Sequence, residues 1–478
     1  MFLERIVTQT RIDLEQHKRE QPLEELQRRV SEQTPARDLR QALSSRPQVN
    51  LIAEVKRASP SKGMLAPHID PVELACTYEQ NGAAAISVLT EPHFFLGSSE
   101  FLTAIKAAVN VPVLRKDFIV DEYQVYEARA WGADAILLIC AILDDAQLSH
   151  LLQVARTLGM HCLVEAHSKE EAQRAISAGA MIIGVNSRDL VSFKMNPYLI
   201  RDLRSLIPAD RVVVAESGIH TAADARRLAR YDVQAMLVGE SLVVSNDVPG
   251  QMRMLLQGAN KSTQAKICGL RTPEHIDTCI EAGADLLGFI FHEPSHRYIE
   301  PRQVKAALKD SKLYNNGASE HALPDLVGVF VNKEAAYINE VAEELGLHYI
   351  QLHGTESPAF CQQIKRPVIK AIQAGSQIDL DLLLSYRDAA WRILLDTPTS
   401  EWGGTGVTHD WNIARTAAQT AQILLAGGLN PENVREAVLH VKPWGVDVSS
   451  GVETNKQKDS QKIRAFMQAV RNTDTIQE

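Results

Sequence analysis

Two consecutive (β/α)8 barrels, the first with an extra N-terminal helical segment, are the fold class that this α/β sequence predicts. Three observations predict it. Short apolar runs alternate with amphipathic stretches, eight times before a polar break near residue 260 and eight times after it. The runs lack polar alternation, as expected of strands buried on both faces of a parallel sheet. A glycine phrase recurs where helices feed strands: Asn81-Gly82-Ala83-Ala84, Trp131-Gly132-Ala133-Asp134, Ala178-Gly179-Ala180-Met181 and Ala282-Gly283-Ala284-Asp285. Each reads as a helix C-cap. A doubly wound open sheet is the alternative, but it would typically use fewer strands.

Residues from about Phe2 to Ser44 are charged, carry Leu and Val at helical spacing, and contain no glycine and two prolines. They read as a helical preamble. The first set of strands is expected at Leu51–Val55, Ala84–Leu89, Val111–Leu114, Ala135–Ile139, His161–Val164, Met181–Val185, Val212–Ala215 and Gln234–Val238. Ser168 with Glu171, and Thr221 with Asp224, have capping-box spacing at helix starts. The stretch QGANKSTQ then breaks the pattern and reads as a linker over 259–264, between domains 1–258 and 265–478. The second set is expected at Lys266–Cys268, Leu286–Phe291, Leu326–Val331, Tyr349–Leu352, Val368–Ala371, Ile393–Leu395, Ile423–Ala426 and Gly445–Val448. Lys309–Pro324 is polar and aperiodic, and is expected to be a surface loop.

With 478 residues, 45% apolar and 23% charged, the chain has the composition of a two-domain globular protein. The formal charge of −9 argues against a nucleic-acid partner. Six scattered cysteines show neither metal-ligand nor CxxC spacing, so no disulfide framework and no metal are expected. No apolar run reaches membrane-spanning length and the N-terminus lacks a signal-peptide core. A cytoplasmic monomer without a cofactor is the expectation.

Active sites of such barrels lie at the C-terminal ends of the strands. In the first half those ends offer Glu54 and Lys56 in AEVKRASPS, Lys116 in LRKDF, Glu165 in CLVEAH, Asn186 and Arg188 in GVNSRDL, Glu216 and Ser217 in AESGI, and Gly239, Glu240 and Ser241 in VGESL. Carboxylates and amines converging on one mouth tune each other's proton affinity, as acid–base chemistry requires. The Gly–Ser elements after the last two strands suit a phosphate. Together EVKRASPSKG, LRKDF, LVEAH, IGVNSRDL and AESGI resemble indole-3-glycerol phosphate synthase over about residues 1–258. The resemblance implies ring closure of 1-(2-carboxyphenylamino)-1-deoxyribulose 5-phosphate with loss of CO₂ and water. It implies Lys116 or Lys56 as the first acid, Glu165 and Glu54 for dehydration, and Asn186 with Glu216 at the anthranilate part. Arg188 would face a carboxylate or form a supporting ion pair. Ser59, Ser217, Gly218, Gly239 and Ser241 would hold phosphate, with Phe94 and Phe118 as apolar walls. A Schiff-base aldolase using Lys116 is the competing reading.

The second half offers Cys268 in KICGLR, with Arg271 near enough to favour a thiolate. It adds Arg297 as an anion clamp, His353 in QLHG, Asp396 followed by Gly403-Gly404-Thr405-Gly406, Gly427 and Gly428 in AGGL, and Asp447, Ser449, Ser450 and Gly451 in VDVSSGVE. These motifs resemble phosphoribosylanthranilate isomerase over about residues 263–478. The implied reaction is an Amadori rearrangement, with Asp396 as acid and Cys268 as base. Its product is the first half's substrate, so phosphorylated small molecules are the expected ligands. A histidine-pathway isomerase would use two carboxylates, and a catalytically dead second barrel would have no reason to keep both groups.

Overall fold

The computed structural model describes residues 2–46, 48–59, 62–66, 69–189, 194–196, 198–260, 262–316, 323–375, 378–396 and 411–474. The chain divides into two units, Met1–Lys261 and Ser262–Glu478. Each contains a closed barrel of eight strands, all pairs parallel, in sequential order. The strands of the first are Asn50–Val55, Ala85–Leu89, Val113–Lys116, Ala135–Ile139, His161–Ala166, Ile182–Asn186, Val212–Glu216 and Ala235–Val238. Those of the second are Gln264–Cys268, Leu286–Ile290, Asp325–Phe330, Tyr349–Leu352, Val368–Gln373, Arg392–Asp396, Ile423–Leu425 and Gly445–Val448. Gln264, placed by the sequence in the linker, is the first residue of a strand whose five residues are all buried.

The preamble is three helices, Phe2–Glu20, Leu23–Ser31 and Leu39–Ser44. The first is tied to the barrel by His17 Nδ1 at 2.8 Å from Glu127 Oε1 and by Lys18 Nζ donating to Asp121 Oδ2 at 2.8 Å. The expected loop at Lys309–Pro324 is in part helical. The helix Pro301–Asp310 runs into it and Lys312–Asn316 forms a further turn, because Ser311 and the backbone of Lys312 and Leu313 donate to Asp277. Residues 317–322 of that stretch lie outside the described residues.

The glycine phrase does two jobs. Gly132 (φ +96°) and Gly283 (φ +77°) leave their helices through the left-handed region, which a side chain disfavours. The aspartate two residues later then enters the wall. Asp134, fully buried, accepts from Val113 N at 2.9 Å and Lys106 Nζ at 2.6 Å. Asp285 accepts from Ala265 N at 2.8 Å and Arg471 Nη2 at 2.6 Å. A buried carboxylate thus satisfies a backbone donor near the start of a neighbouring strand. Asp134→Ala leaves Lys106 and that donor without their acceptor. We expect a loss of about 3 kcal/mol in urea unfolding of the first barrel, and a smaller loss for Asp134→Asn.

Candidate active sites

In the first barrel the inward positions of the odd strands stack in layers. Ile52, Leu114, Leu163 and Val214 fill one apolar layer of the interior. Two residues further along the same strands, and so on the same face, stand Glu54, Lys116, Glu165 and Glu216. Lys116 Nζ lies 3.0 Å from Glu165 Oε2 and 3.3 Å from Glu216 Oε2. Glu54 Oε1 accepts from Lys56 Nζ at 2.7 Å. Room for these carboxylates comes from two glycines, one on the sixth strand and one just after the eighth. A Cβ on Gly184 would collide with Glu216 Oε1, and one on Gly239 with Glu54 Oε1.

Burial disfavours a charge on Lys116, but Glu165, Glu216 and Glu54 outweigh it and hold the ammonium well above the usual lysine range. Burial likewise works against an ionised Glu165, yet Lys116 and His167 together hold it below the usual carboxylate range. Glu216 goes the other way: burial, reinforced by the Glu165 charge, raises it despite Lys116. Two carboxylates on one ammonium are therefore unequal.

Around this layer the strand register sets Asn186 beside Glu216. Asn186 Oδ1 accepts from Ser217 Oγ at 2.8 Å and from Arg188 N at 3.0 Å. Ser217 (φ +68°) and Gly218 (φ +71°) are successive left-handed residues. This is strain of the kind concentrated at ligand sites. Ser241 Oγ donates to Ile219 O at 2.9 Å. Ser59 is buried, and its Oγ has no hydrogen-bond partner among the described residues. Glu54, Lys56, Ser59, Lys116, Glu165, Asn186, Arg188, Glu216, Ser217, Gly218, Gly239 and Ser241 all line one cavity of about 1180 Å³, its open mouth included.

Its apolar wall includes Phe2, Leu3 and Ile6 of the first helix, with Phe95 and Phe118. The preamble residues escaped sequence reasoning because nothing in a helix's own pattern says which groove it covers. Phe94 is not a wall residue. Its ring packs edge-on against Phe2 at 5.4 Å, behind the cavity lining.

In the second barrel, Cys268, Arg297, His353, Asp396, Gly427, Gly428, Asp447, Ser449 and Ser450 line a cavity of about 690 Å³, its open mouth included. Asp396 Oδ2 lies 3.2 Å from His353 Nε2, and Gln351 Nε2 is 2.9 Å from His353 Nδ1. The expected neighbour of the thiol is corrected. Arg271 donates to His296 O at 3.0 Å, while the cations acting on Cys268 are the fully buried Lys266 and, more weakly, Lys458. Burial raises the Cys268 thiol and Lys266 pulls against that rise. Gly288 opens the space, since a Cβ there would meet both Cys268 Sγ and Lys266 Nζ. The signal was present: Lys266 precedes Cys268 by two residues, the spacing of Glu54 and Lys56. Asp447 lines the cavity, but its Oδ1 accepts from Lys266 Nζ at 2.9 Å.

Arg297 is not an open clamp. Its Nε and Nη2 donate to both oxygens of Glu453 at 2.7 and 2.9 Å, the fork expected for a ligand anion. Lys458 Nζ joins them, 2.7 Å from Glu453 Oε1 and 2.8 Å from Ser449 O. Ser449 Oγ in turn donates to Cys268 O at 3.1 Å. Gly427 (φ +84°) and Gly428 (φ +66°) turn the chain after the seventh strand. Gly451 packs against Leu429 O so closely that a Cβ would collide. Gly403-Gly404-Thr405-Gly406 lies outside the described residues.

Burial alone would raise the Glu453 carboxyl, but its bonds from Arg297 and Lys458 outweigh that and hold it at about 2, below the ordinary 4.5. A depressed folded-state value stabilises the fold above the ordinary value and ceases to do so as pH falls through the folded one. The second barrel is therefore expected to lose stability between about pH 4.5 and 2. Glu453→Gln should flatten that part of its stability-against-pH curve, measured as the urea midpoint at each pH.

The model of the family "Indole-3-glycerol phosphate synthase" matches residues 3–255, and that of "N-(5'phosphoribosyl)anthranilate (PRA) isomerase" matches residues 265–469. The "Tryptophan biosynthesis protein TrpCF" of Yersinia pestis is 35% identical over 98% of this chain and 94% of its own. The "Indole-3-glycerol phosphate synthase" of Dehalococcoides mccartyi is 51% identical over 54% of this chain and its whole length. The "Multifunctional tryptophan biosynthesis protein" of Phycomyces blakesleeanus is 37% identical over 94% of this chain, which spans 64% of that relative's length. Two tandem barrels, each matched by its own model and aligned together along TrpCF, show that the chain belongs to the family of indole-3-glycerol phosphate synthase–phosphoribosylanthranilate isomerase fusions.

Proposed function

We propose that the chain carries out two successive steps of tryptophan biosynthesis without a cofactor. The second barrel converts N-(5-phosphoribosyl)anthranilate to 1-(2-carboxyphenylamino)-1-deoxyribulose 5-phosphate. The first closes that product to indole-3-glycerol phosphate, releasing CO₂ and water. The observation that carries the reading is the pair of polar cavities at the strand ends, one around Lys116 and its carboxylates, the other holding Cys268 and Asp396.

In the second cavity Asp396, oriented by His353, protonates the furanose ring oxygen, and the ring opens to an iminium. The Cys268 thiolate takes the C2 proton, giving the enolamine that tautomerises to the ketone. The iminium charge, with Lys266 beside the sulfur, offsets the burial that otherwise favours the thiol. Gly427, Gly428, Ser449, Ser450 and Gly451 receive the phosphate. Arg297, fixed by Glu453, and Asp447, fixed by Lys266, shape the wall.

In the first cavity Lys116 donates a proton to the ketone oxygen as the aromatic carbon attacks. Lys116 is taken over Lys56 as the first acid because Glu165 and Glu216, 3.0 and 3.3 Å away, can return its proton after donation. Rearomatisation expels CO₂, and loss of water follows with Glu165 and the Glu54–Lys56 pair supplying acid and base. Asn186, Arg188 and Glu216 orient the anthranilate part, while Ser59, Ser217, Gly218, Gly239 and Ser241 receive the phosphate. The unpartnered Ser59 hydroxyl supports a ligand at that edge. A monomer in the cytoplasm, acting on phosphorylated small molecules and not on nucleic acid, completes the proposal; the net charge of −9 supports its last part.

The test supplies phosphoribosylanthranilate to wild type, Cys268→Ala and Lys116→Ala. Cys268→Ala should slow substrate loss by about 10²-fold or more, the scale of a lost acid–base group. Lys116→Ala should consume substrate normally and accumulate the open-chain ketone. A wild type that consumes nothing, a Cys268→Ala that cannot convert supplied open-chain ketone, or a Lys116→Ala that no longer consumes phosphoribosylanthranilate overturns the proposal.

A further inference from the structure

His167 closes the motif CLVEAH and has no part in the chemistry above. Its side chain, 9% exposed, sits between two carboxylates. Its Nε2 lies 3.3 Å from Glu165 Oε1, the oxygen opposite the one that faces Lys116. Its Nδ1 lies 3.3 Å from Glu171 Oε2, and its backbone N donates to the same oxygen at 2.7 Å. Glu171 has been diverted to this task. The sequence gives it capping-box spacing from Ser168, and Ser168 Oγ does accept from Glu171 N at 3.2 Å. The Glu171 carboxylate, however, turns to His167 instead of completing the box.

The groups facing His167 are Glu165 from the fifth strand and Glu171 from the helix Lys169–Ser177. Beyond Glu165 stand Lys116 from the third strand and Glu216 from the seventh. Cys140 Sγ reaches Glu171 O at 3.6 Å. Two carboxylates in direct contact favour the imidazolium. Burial opposes that charge, but the neighbouring carboxylates of Glu165 and Glu171 prevail and raise the histidine to about 10.

The consequence lies in an asymmetry. Glu165 and Glu216 both approach Lys116, and like charges so close do not both ionise freely. Of the two, among the described residues, Glu165 alone has a second cation at its far oxygen. Resting on the ring-closing function proposed above, we infer that His167 is a positioning residue that makes the two carboxylates on Lys116 unequal, keeping Glu165 as the ionised partner and leaving the shared proton to Glu216. Glu171 holds His167 in the charged form that this requires.

The experiment measures kcat and KM for indole-glycerol phosphate formation against pH in wild type, His167→Gln and Glu171→Gln, with purified open-chain ketone as substrate. Removing the imidazolium makes the carboxylate pair hold protons more tightly. The kcat/KM profile of His167→Gln should move to higher pH by about one unit, a tenfold change in proton affinity. Its kcat should fall at least about tenfold while KM stays within about twofold, the loss belonging to proton transfer and not to binding. Glu171→Gln should move the profile the same way by less, and it tests the proposal if His167→Gln does not fold. Isomerase activity of each variant should match wild type, reporting an intact chain. A profile that stays at the wild-type pH in a variant with normal isomerase activity overturns the role of His167. Wild type that forms no indole product overturns the function on which it rests.

Discussion

The first barrel depends on one ammonium. Glu54, Glu165 and Glu216 project from alternate strands into one layer of a closed sheet, directly above packed aliphatic side chains. Three carboxylates at that depth would repel each other and lack solvent. Lys116, the fourth member of the layer, touches two of them and acts on the third through the low local dielectric. Desolvation and attraction are both large here, and the net direction for each group follows from how many partners it has. Glu165 has Lys116 and His167 and remains charged. Glu216 has a share of Lys116 and keeps a proton. The glycines at 184 and 239 belong to the same arrangement, because without their missing side chains the carboxylates would have no space.

The second barrel repeats the device with other residues. Lys266 is its buried ammonium, paired with Asp447 on the adjoining strand and set beside Cys268. One lysine thus offsets a structural aspartate and lowers the cost of a thiolate. At the mouth Glu453 joins Arg297 to Lys458, and Lys458 reaches Ser449 at the expected phosphate edge. The acid side of the cavity is organised separately, through Gln351, His353 and Asp396. In both barrels the reacting groups stand on strands, and the loops supply the turns that receive phosphate.

The barrels themselves were legible because a parallel strand buried on both faces cannot hide its composition. Sixteen such runs, punctuated by glycine C-caps, leave few architectures. Residues at strand ends were legible for the same reason: Glu54, Lys116, Glu165, Glu216, Cys268 and Asp396 all line the cavities. What escaped was partnership across the chain. Nothing local to Arg297 announces Glu453, more than 150 residues away. Arg271 looked close to Cys268 in sequence, but it follows Gly269, whose left-handed backbone (φ +82°) turns the chain away. Phe94 and Phe95 were indistinguishable until the first helix was seen to cover one and the cavity to expose the other. Lys266 and His167 were within reach, since each sits two residues from a reacting group on the same strand or at its end.

The direct test of the first site's electrostatics is a difference titration of wild type against Lys116→Met, counting protons bound between about pH 8 and 4. If the ammonium is what keeps Glu165 ionised beside a protonated Glu216, its loss draws about one further proton onto that pair near pH 6. Identical proton binding in the two proteins over that range would contradict it, and would place the compensation of those carboxylates elsewhere in the barrel.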